Sequence, residues 1–208
     1  MTRRKSSSRW LARHFRDEYV KRAHQEGARS RATYKLEEID RKDRLLRPGM
    51  LVVDLGAAPG GWSEYAAERV GPSGRVLALD VLTIEPIAGV DILQGDFTEN
   101  AVLDSLLERL KGQAVDLVLS DMAPNISGIA SADQAGAIYL AELALDFAGQ
   151  TLKRGGSLLI KTFQGAGFPE LRKRMMERFE HVLSRKPRAS RAESREIYLL
   201  GKGFRPER

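Results

Sequence analysis

From residue 51 onward the chain alternates short, near-continuous apolar runs with longer stretches in which apolar residues recur every three or four positions. The short runs read as strands buried on both faces of a parallel sheet, and the longer stretches as amphipathic helices that cover it. This predicts strands at Leu51–Leu55, Arg75–Asp80, Val90–Gln94, Val115–Asp121 and Gly156–Thr162. Helices fall between them at about Trp62–Val70, Ala101–Lys111 and Asp133–Leu152, a βαβ rhythm. A further helix over Pro169–Phe179 leads to a strand at His181–Ser184, and Glu196–Gly201 makes a last strand. The expected fold is α/β and Rossmann-like: a doubly wound, mostly parallel sheet of about seven strands, with ligands at the carboxyl ends of the central ones.

Before residue 48 the texture differs. Met1 to about Ser8 is polar and basic with no apolar periodicity, and is expected to be disordered or ordered only on binding. Trp10, Leu11, Phe15, Tyr19 and Val20, then Tyr34, Leu36 and Ile39, recur at helical spacing with Arg and Lys between them. Two basic helices packed on the body fit this, with Gly27 breaking them and Trp10 and Phe15 as core anchors rather than base-stacking platforms. The chain thus divides into a basic extension over 1–47 and one domain over 48–208. Ser184–Ser194, between the last two strands, reads as a basic, mobile loop.

Charge sharpens the reading of the extension. Through Arg47 there are 15 Lys and Arg against 7 Asp and Glu, an excess of eight, whereas the 208-residue chain has 34 against 28 and a net charge of +6; the remainder is therefore at −2. A basic arm on a near-neutral body is the footprint of a phosphate-rich partner, and nucleic acid is favoured over a merely solvated face. With no cysteine and only His14, His24 and His181, scattered, no disulfide, thiolate nucleophile or metal cluster is expected. No apolar run approaches the ~20 residues of a membrane span. The first residues lack a secretory apolar segment, and Asp17 and Glu18 argue against a transit peptide, so the expected location is the cytoplasm.

The chemistry gathers at the strand ends. Leu51–Trp62, LVVDLGAAPGGW, is a strand that stops in an acid and a turn holding Gly56, Gly60 and Gly61, which lets a ligand approach bare main chain before a helix opens. Asp80 ends the second strand 24 residues beyond Gly56, where dinucleotide folds place a carboxylate for ribose hydroxyls. That suits a nicotinamide or S-adenosylmethionine equally. The absence of a GxGxxG fingerprint and the presence of Trp62 at the helix start favour S-adenosylmethionine. So do Asp96 and Phe97 after the third strand, an acid for the adenine amine and an aromatic to cover its ring. Ser120–Asn125, SDMAPN, places Asp121 at the switch region, and Lys161, in LLIKTFQG, ends the fifth strand at the same rim. Glu196 begins the last strand and Lys35 lies in the N-terminal helical region, so two charges of each sign come from four segments.

Lys35, Asp121, Lys161 and Glu196, with DLGAAPGGW and SDMAPN between them, resemble the K-D-K-E tetrad of the FtsJ-type ribosomal RNA 2′-O-methyltransferases. The resemblance runs from RSRATYKLEEID at Arg29 to REIYLL at Arg195. It implies a methyltransferase sheet, S-adenosylmethionine as donor, and a uridine of 23S ribosomal RNA, within the large subunit, as acceptor. It carries the cofactor residues onto Gly60, Trp62, Asp80, Asp96 and Asp121, beside Gly56 and Phe97 from the turn and strand-end reading, and the catalytic lysine onto Lys161. A ribose hydroxyl is a poor nucleophile, so positioning should supply much of the acceleration. Lys161 is the candidate base, or the group that orients the oxygen by charge. A lysine base must be neutral, far from its reference pKa of about 10.4, and Lys35 is the candidate neighbouring cation. The extension and Arg188–Arg195 are expected to hold phosphates. A messenger-cap ribose methyltransferase, a non-catalytic RNA-binding assembly factor and a base-amine methyltransferase are the competing readings. The first would need a cap-guanine aromatic slot, the second no complete tetrad, and the third an aromatic in DMAPN. The expected state is a monomer that binds no DNA and no membrane.

Overall fold

The structure, a computed structural model, describes residues 18–191 and 194–206; the expectations for Met1–Ser8, Trp10, Leu11 and Phe15 lie outside the described residues. In chain order the elements are α1 (Glu18–Glu26), α2 (Thr33–Asp43), β1 (Leu51–Leu55), α3 (Gly61–Val70), β2 (Arg75–Asp80), β3 (Val90–Gln94) and α4 (Asn100–Leu110). There follow β4 (Val115–Ser120), α5 (Ala130–Thr151), β5 (Leu152–Phe163), α6 (Phe168–Arg178), β6 (Phe179–Arg185) and β7 (Glu196–Phe204). The seven strands form one sheet in the order β3-β2-β1-β4-β5-β7-β6. Pairings from β3 to β5 are parallel, and β7 runs antiparallel to both β5 and β6. The strand order reverses between β1 and β4, and there the carboxyl ends open a crevice.

Alternation along the strands divides the core. In β1, Leu51, Val53 and Leu55 join the cluster built with α4, α5 and α6, while Val52 faces the other way into the cluster with α2 and α3. Leu36 and Ile39 of α2 belong to that second cluster with Trp62, Leu159, Tyr198 and Leu200, so this helix is an integral layer of the fold. Burial on both faces explains why these strands read as unbroken apolar runs.

The differences from expectation lie at element ends and have local causes. β4 stops at Ser120, and Asp121 turns out of the sheet while its N–H donates to Leu55 O at 3.0 Å. β5 starts at Leu152, before Gly155 and Gly156 rather than after them, with a register irregularity opposite Val115–Leu117. β7 continues through Gly201 to Phe204 because Phe179 packs over Gly201, where a Cβ would sit 2.7 Å from the ring. β6 gains Phe179, Glu180 and Arg185, and α5 begins three residues early at Ala130. The break at Gly27 is as expected, with φ +69° after α1. In the loop after β6, part of which lies outside the described residues, residues 188 and 189 are tied to the body. Ala189 is fully buried, its carbonyl accepts from Arg31, and Arg188 N–H donates to Glu38 at 2.9 Å.

Candidate active site

A cleft of about 610 Å3 runs along the crevice from Gly56 past Asp80, Asp96 and Phe97 to Asp121 and Lys161. Its floor depends on Gly56: φ is +75°, and a Cβ there would lie 2.7 Å from Met122 N, so the turn after β1 and the chain after β4 pass backbone against backbone. The Asp80 carboxylate is fixed by main chain, with Oδ2 accepting from Ala58 N and Oδ1 from Leu82 N, both at 2.8 Å. A carboxylate has about four lone-pair sites, so acceptor capacity remains toward the cleft. Asp96 Oδ1 accepts from Thr98 N at 2.9 Å and from Thr98 Oγ1 at 2.7 Å. Those bonds hold its carboxyl below the usual range and keep it an acceptor.

The tetrad assembles as two ion pairs. Lys35 Nζ lies 2.8 Å from Glu196 Oε1, and Lys161 Nζ lies 3.1 Å from Asp121 Oδ1 and also donates to the Asp121 carbonyl. Tyr198 joins the pairs. Its hydroxyl accepts from Lys35 Nζ at 3.2 Å and donates to Asp121 Oδ1 at 2.7 Å. Its pKa is driven well above the usual phenol value, first by burial and then by the Asp121 charge, so it remains a donor. Register explains the convergence: Lys161 pairs with Tyr198 and Phe163 with Glu196 across β5 and β7. Period two then sets all four side chains on one face, the face that α2 covers with Lys35. Asp121 and Lys161 line the cleft; Lys35 and Glu196 stand behind them. Lys35, the expected neighbouring cation, has its ammonium held by Glu196 and Tyr198, and Tyr198 links it to the Asp121 that pairs with Lys161.

Two cofactor candidates take different places from the rest. Trp62 is buried, donates from Nε1 to Ala32 O at 2.6 Å and packs on Tyr198 with ring centroids 5.7 Å apart. Its indole therefore anchors α2, and neither it nor Gly60 lines the cleft. Phe97 does line the cleft, and its ring packs in a T-shape with Phe147 at 5.6 Å. The exposed apolar surface along the cleft comes from Val81, Leu82 and Tyr139, which sequence reasoning missed. The signal for the first two was present: they follow Asp80 directly, outside the strand periodicity.

Asp54 is a further buried acid, on the α3 side of β1. Ser63 Oγ donates to its Oδ2 at 2.6 Å, while Oδ1 has no partner among the described residues. Burial raises its pKa to about 7, against the Ser63 bond and with smaller pushes from Asp121 and Asp80. Ser190, also unmarked in the sequence, donates to Glu196 Oε1 at 2.7 Å and ties the loop after β6 to the tetrad.

A protein of Azoarcus sp. named ribosomal RNA large subunit methyltransferase E is 62% identical over 99% of this chain and 100% of its own length. A Pseudomonas aeruginosa protein of the same name is 56% identical over the full length of both chains. Among solved structures, a Plasmodium falciparum protein assigned as a ribosomal RNA methyltransferase superposes with a TM-score of 0.77 at 29% identity, covering 86% of this chain and 100% of that one. The model of one family, the FtsJ-like methyltransferases, matches residues 28–204, a span that holds every residue of the cleft and of the two ion pairs. The chain belongs to that family.

Proposed function

We propose that the protein transfers a methyl group from S-adenosylmethionine to the ribose 2′-oxygen of a uridine in 23S ribosomal RNA, acting on the large subunit late in its maturation. The observation that carries this reading is the Lys161–Asp121 pair at the end of a cofactor-sized cleft, backed through Tyr198 by Lys35 and Glu196. The names of the relatives supply the substrate class. The cleft suits the cofactor: two anchored acceptors, Asp80 and Asp96, face apolar Val81, Leu82 and Tyr139 within a volume typical of small-ligand sites. Asp80 would take ribose hydroxyls and Asp96 the adenine amine, with Gly56 leaving bare main chain at the floor of the cleft. Any part of Trp62 in that site is main chain, since its indole is engaged with Ala32. The cofactor, when bound, supplies the methyl as part of a sulfonium.

Lys161 would lie against the attacking oxygen, accepting its proton or holding it by charge. Asp121 fixes that ammonium, and Tyr198 with Lys35 and Glu196 fixes Asp121, so the arrangement is set before the acceptor arrives. RNA of the large subunit is the partner, the enzyme acts as a monomer, and its place is the cytoplasm. The test is incubation of large subunits lacking the modification with labelled S-adenosylmethionine, followed by mapping of ribose methylation. One 2′-O-methyluridine in 23S RNA is expected. Label on a base, or none in RNA while calorimetry shows tight NAD binding, overturns the reading.

A further inference from the structure

A second, smaller cavity of about 290 Å3 opens beside the same rim, lined among others by Ile126, Gly128, Gln134, Phe163, Ser194 and Arg195. The loop that walls it follows directly from Asn125 of the cofactor cleft. Phe163 is two residues beyond Lys161 on β5, a rise of about 7 Å along the strand, which is the scale of one step from a ribose to its own base.

Three features give the cavity a chemistry. Ile126 is 71% exposed at its mouth, on a loop that is nevertheless held: Asp133 accepts from Ser127 N at 2.8 Å, Ser127 Oγ at 2.7 Å and Gly128 N at 3.2 Å. The Asp133 carboxylate, which also borders the cavity, is thereby engaged by the loop. Gln134 is buried and spends its amide N–H groups on Phe163 O and Ala166 O, both at 3.0 Å, leaving Oε1 with no donor among the described residues. Arg195 is exposed and has no carboxylate partner among the described residues. An apolar face, a hydrogen-bond acceptor and an uncommitted cation around one small cavity match the base, an edge N–H and a phosphate of a nucleotide.

We infer that this cavity seats the base of the acceptor nucleotide, with Ile126 against its face, Gln134 Oε1 accepting an edge N–H such as the imide of uracil, and Arg195 on a flanking phosphate. The inference rests on the proposed ribose methylation and adds where the acceptor is gripped.

The test measures methylation of large subunits by Ile126→Ala, Ile129→Ala and Arg195→Gln, with cofactor affinity measured in parallel by calorimetry. Ile126→Ala should raise KM for the subunit on the order of ten-fold, as loss of one base contact does, with kcat and the salt dependence little changed. Ile129→Ala, equally exposed on the same loop but outside the cavity lining, should behave as the parent enzyme. Arg195→Gln should weaken binding and lower the salt slope by about one. A large-subunit RNA fragment carrying 4-thiouridine at the methylated position should photo-crosslink to the peptide containing Ile126 or Phe163. If Ile126→Ala matches Ile129→Ala, or the crosslink falls elsewhere while the parent enzyme still methylates, the cavity assignment is wrong and the methylation reading survives. A parent enzyme that labels no ribose takes down both.

Discussion

Lys161 at the cleft end of β5 and Asp54, fully buried on β1, are two ionisable groups of the central sheet, and the structure asks different things of them. In the proposed reaction Lys161 meets the acceptor only at the reacting centre, so Lys161→Ala should abolish methyl transfer while leaving cofactor and RNA affinity nearly intact. Lys161→Arg separates its two possible roles in single-turnover assays: a guanidinium keeps its charge and cannot accept a proton, so failure to rescue supports the base. Near-full activity would assign Lys161 to charge alone. Asp54 acts on stability. Its pKa in the folded chain, about 7, lies above the unfolded value, so the folded state holds the extra proton between about pH 4 and pH 7. Stability from this group therefore falls as pH rises through that window and stays low above it. Asp54→Asn should remove that fall, gaining on the order of 2–4 kcal/mol relative to the parent between pH 4 and pH 8 in denaturant titrations. At this scale the sequence exposes residues that stand out against their surroundings. Asp121 and Lys161 interrupt apolar runs at strand ends and are legible, whereas Tyr198 looks like one more buried aromatic in REIYLL. Its role follows only when period two is applied from Glu196 across the register with Lys161.

Among the elements, α2 is the one whose placement decides the site, and it is held by polar contacts that no periodicity announces. Trp62 Nε1 donates to Ala32 O, Tyr65 OH to Asp40 Oδ2 at 2.9 Å, and Leu46 N to Asp40 Oδ1 at 2.9 Å. Trp62→Phe leaves the Ala32 carbonyl without its donor and opens space beside Tyr198. A loss of about 1–3 kcal/mol is expected, several degrees of Tm by thermal melting. Because Lys35 rides on the same helix, kcat should fall more than cofactor affinity. Gly201→Ala tests the other side of the sheet. Its Cβ would meet the Phe179 ring at 2.7 Å, costing about 1–3 kcal/mol in denaturant titrations with cofactor affinity unchanged. β1 and β2 are legible to the residue because burial writes them as apolar runs, and the half-buried edge strand β3 is legible too. The antiparallel half is blurred by glycines at 155, 156, 201 and 203, which resemble turns in a sequence and are strand positions here.

For the whole molecule, charge and topology divide the work. Removing the chain before about Ser30 should weaken RNA binding and flatten its salt dependence in filter-retention titrations, while S-adenosylmethionine still binds, because the cleft is built from β1 to β5. An unchanged salt slope would make the basic arm a solubilising face. The reach of the tetrad along the chain sets when it can assemble during synthesis. Lys35 and Glu196 are 161 positions apart, and Tyr198 is 77 beyond Asp121. At about 5–20 residues per second, Lys35 waits roughly 8–30 s on the nascent chain before its carboxylate partner is even polymerised. The donor half can fold on the translating ribosome during that interval, but Asp121 lacks its phenol and Lys35 its counter-charge until β7 slides in between β5 and β6. The site of an enzyme proposed to finish large subunits is thus itself finished late, when β7 joins the sheet.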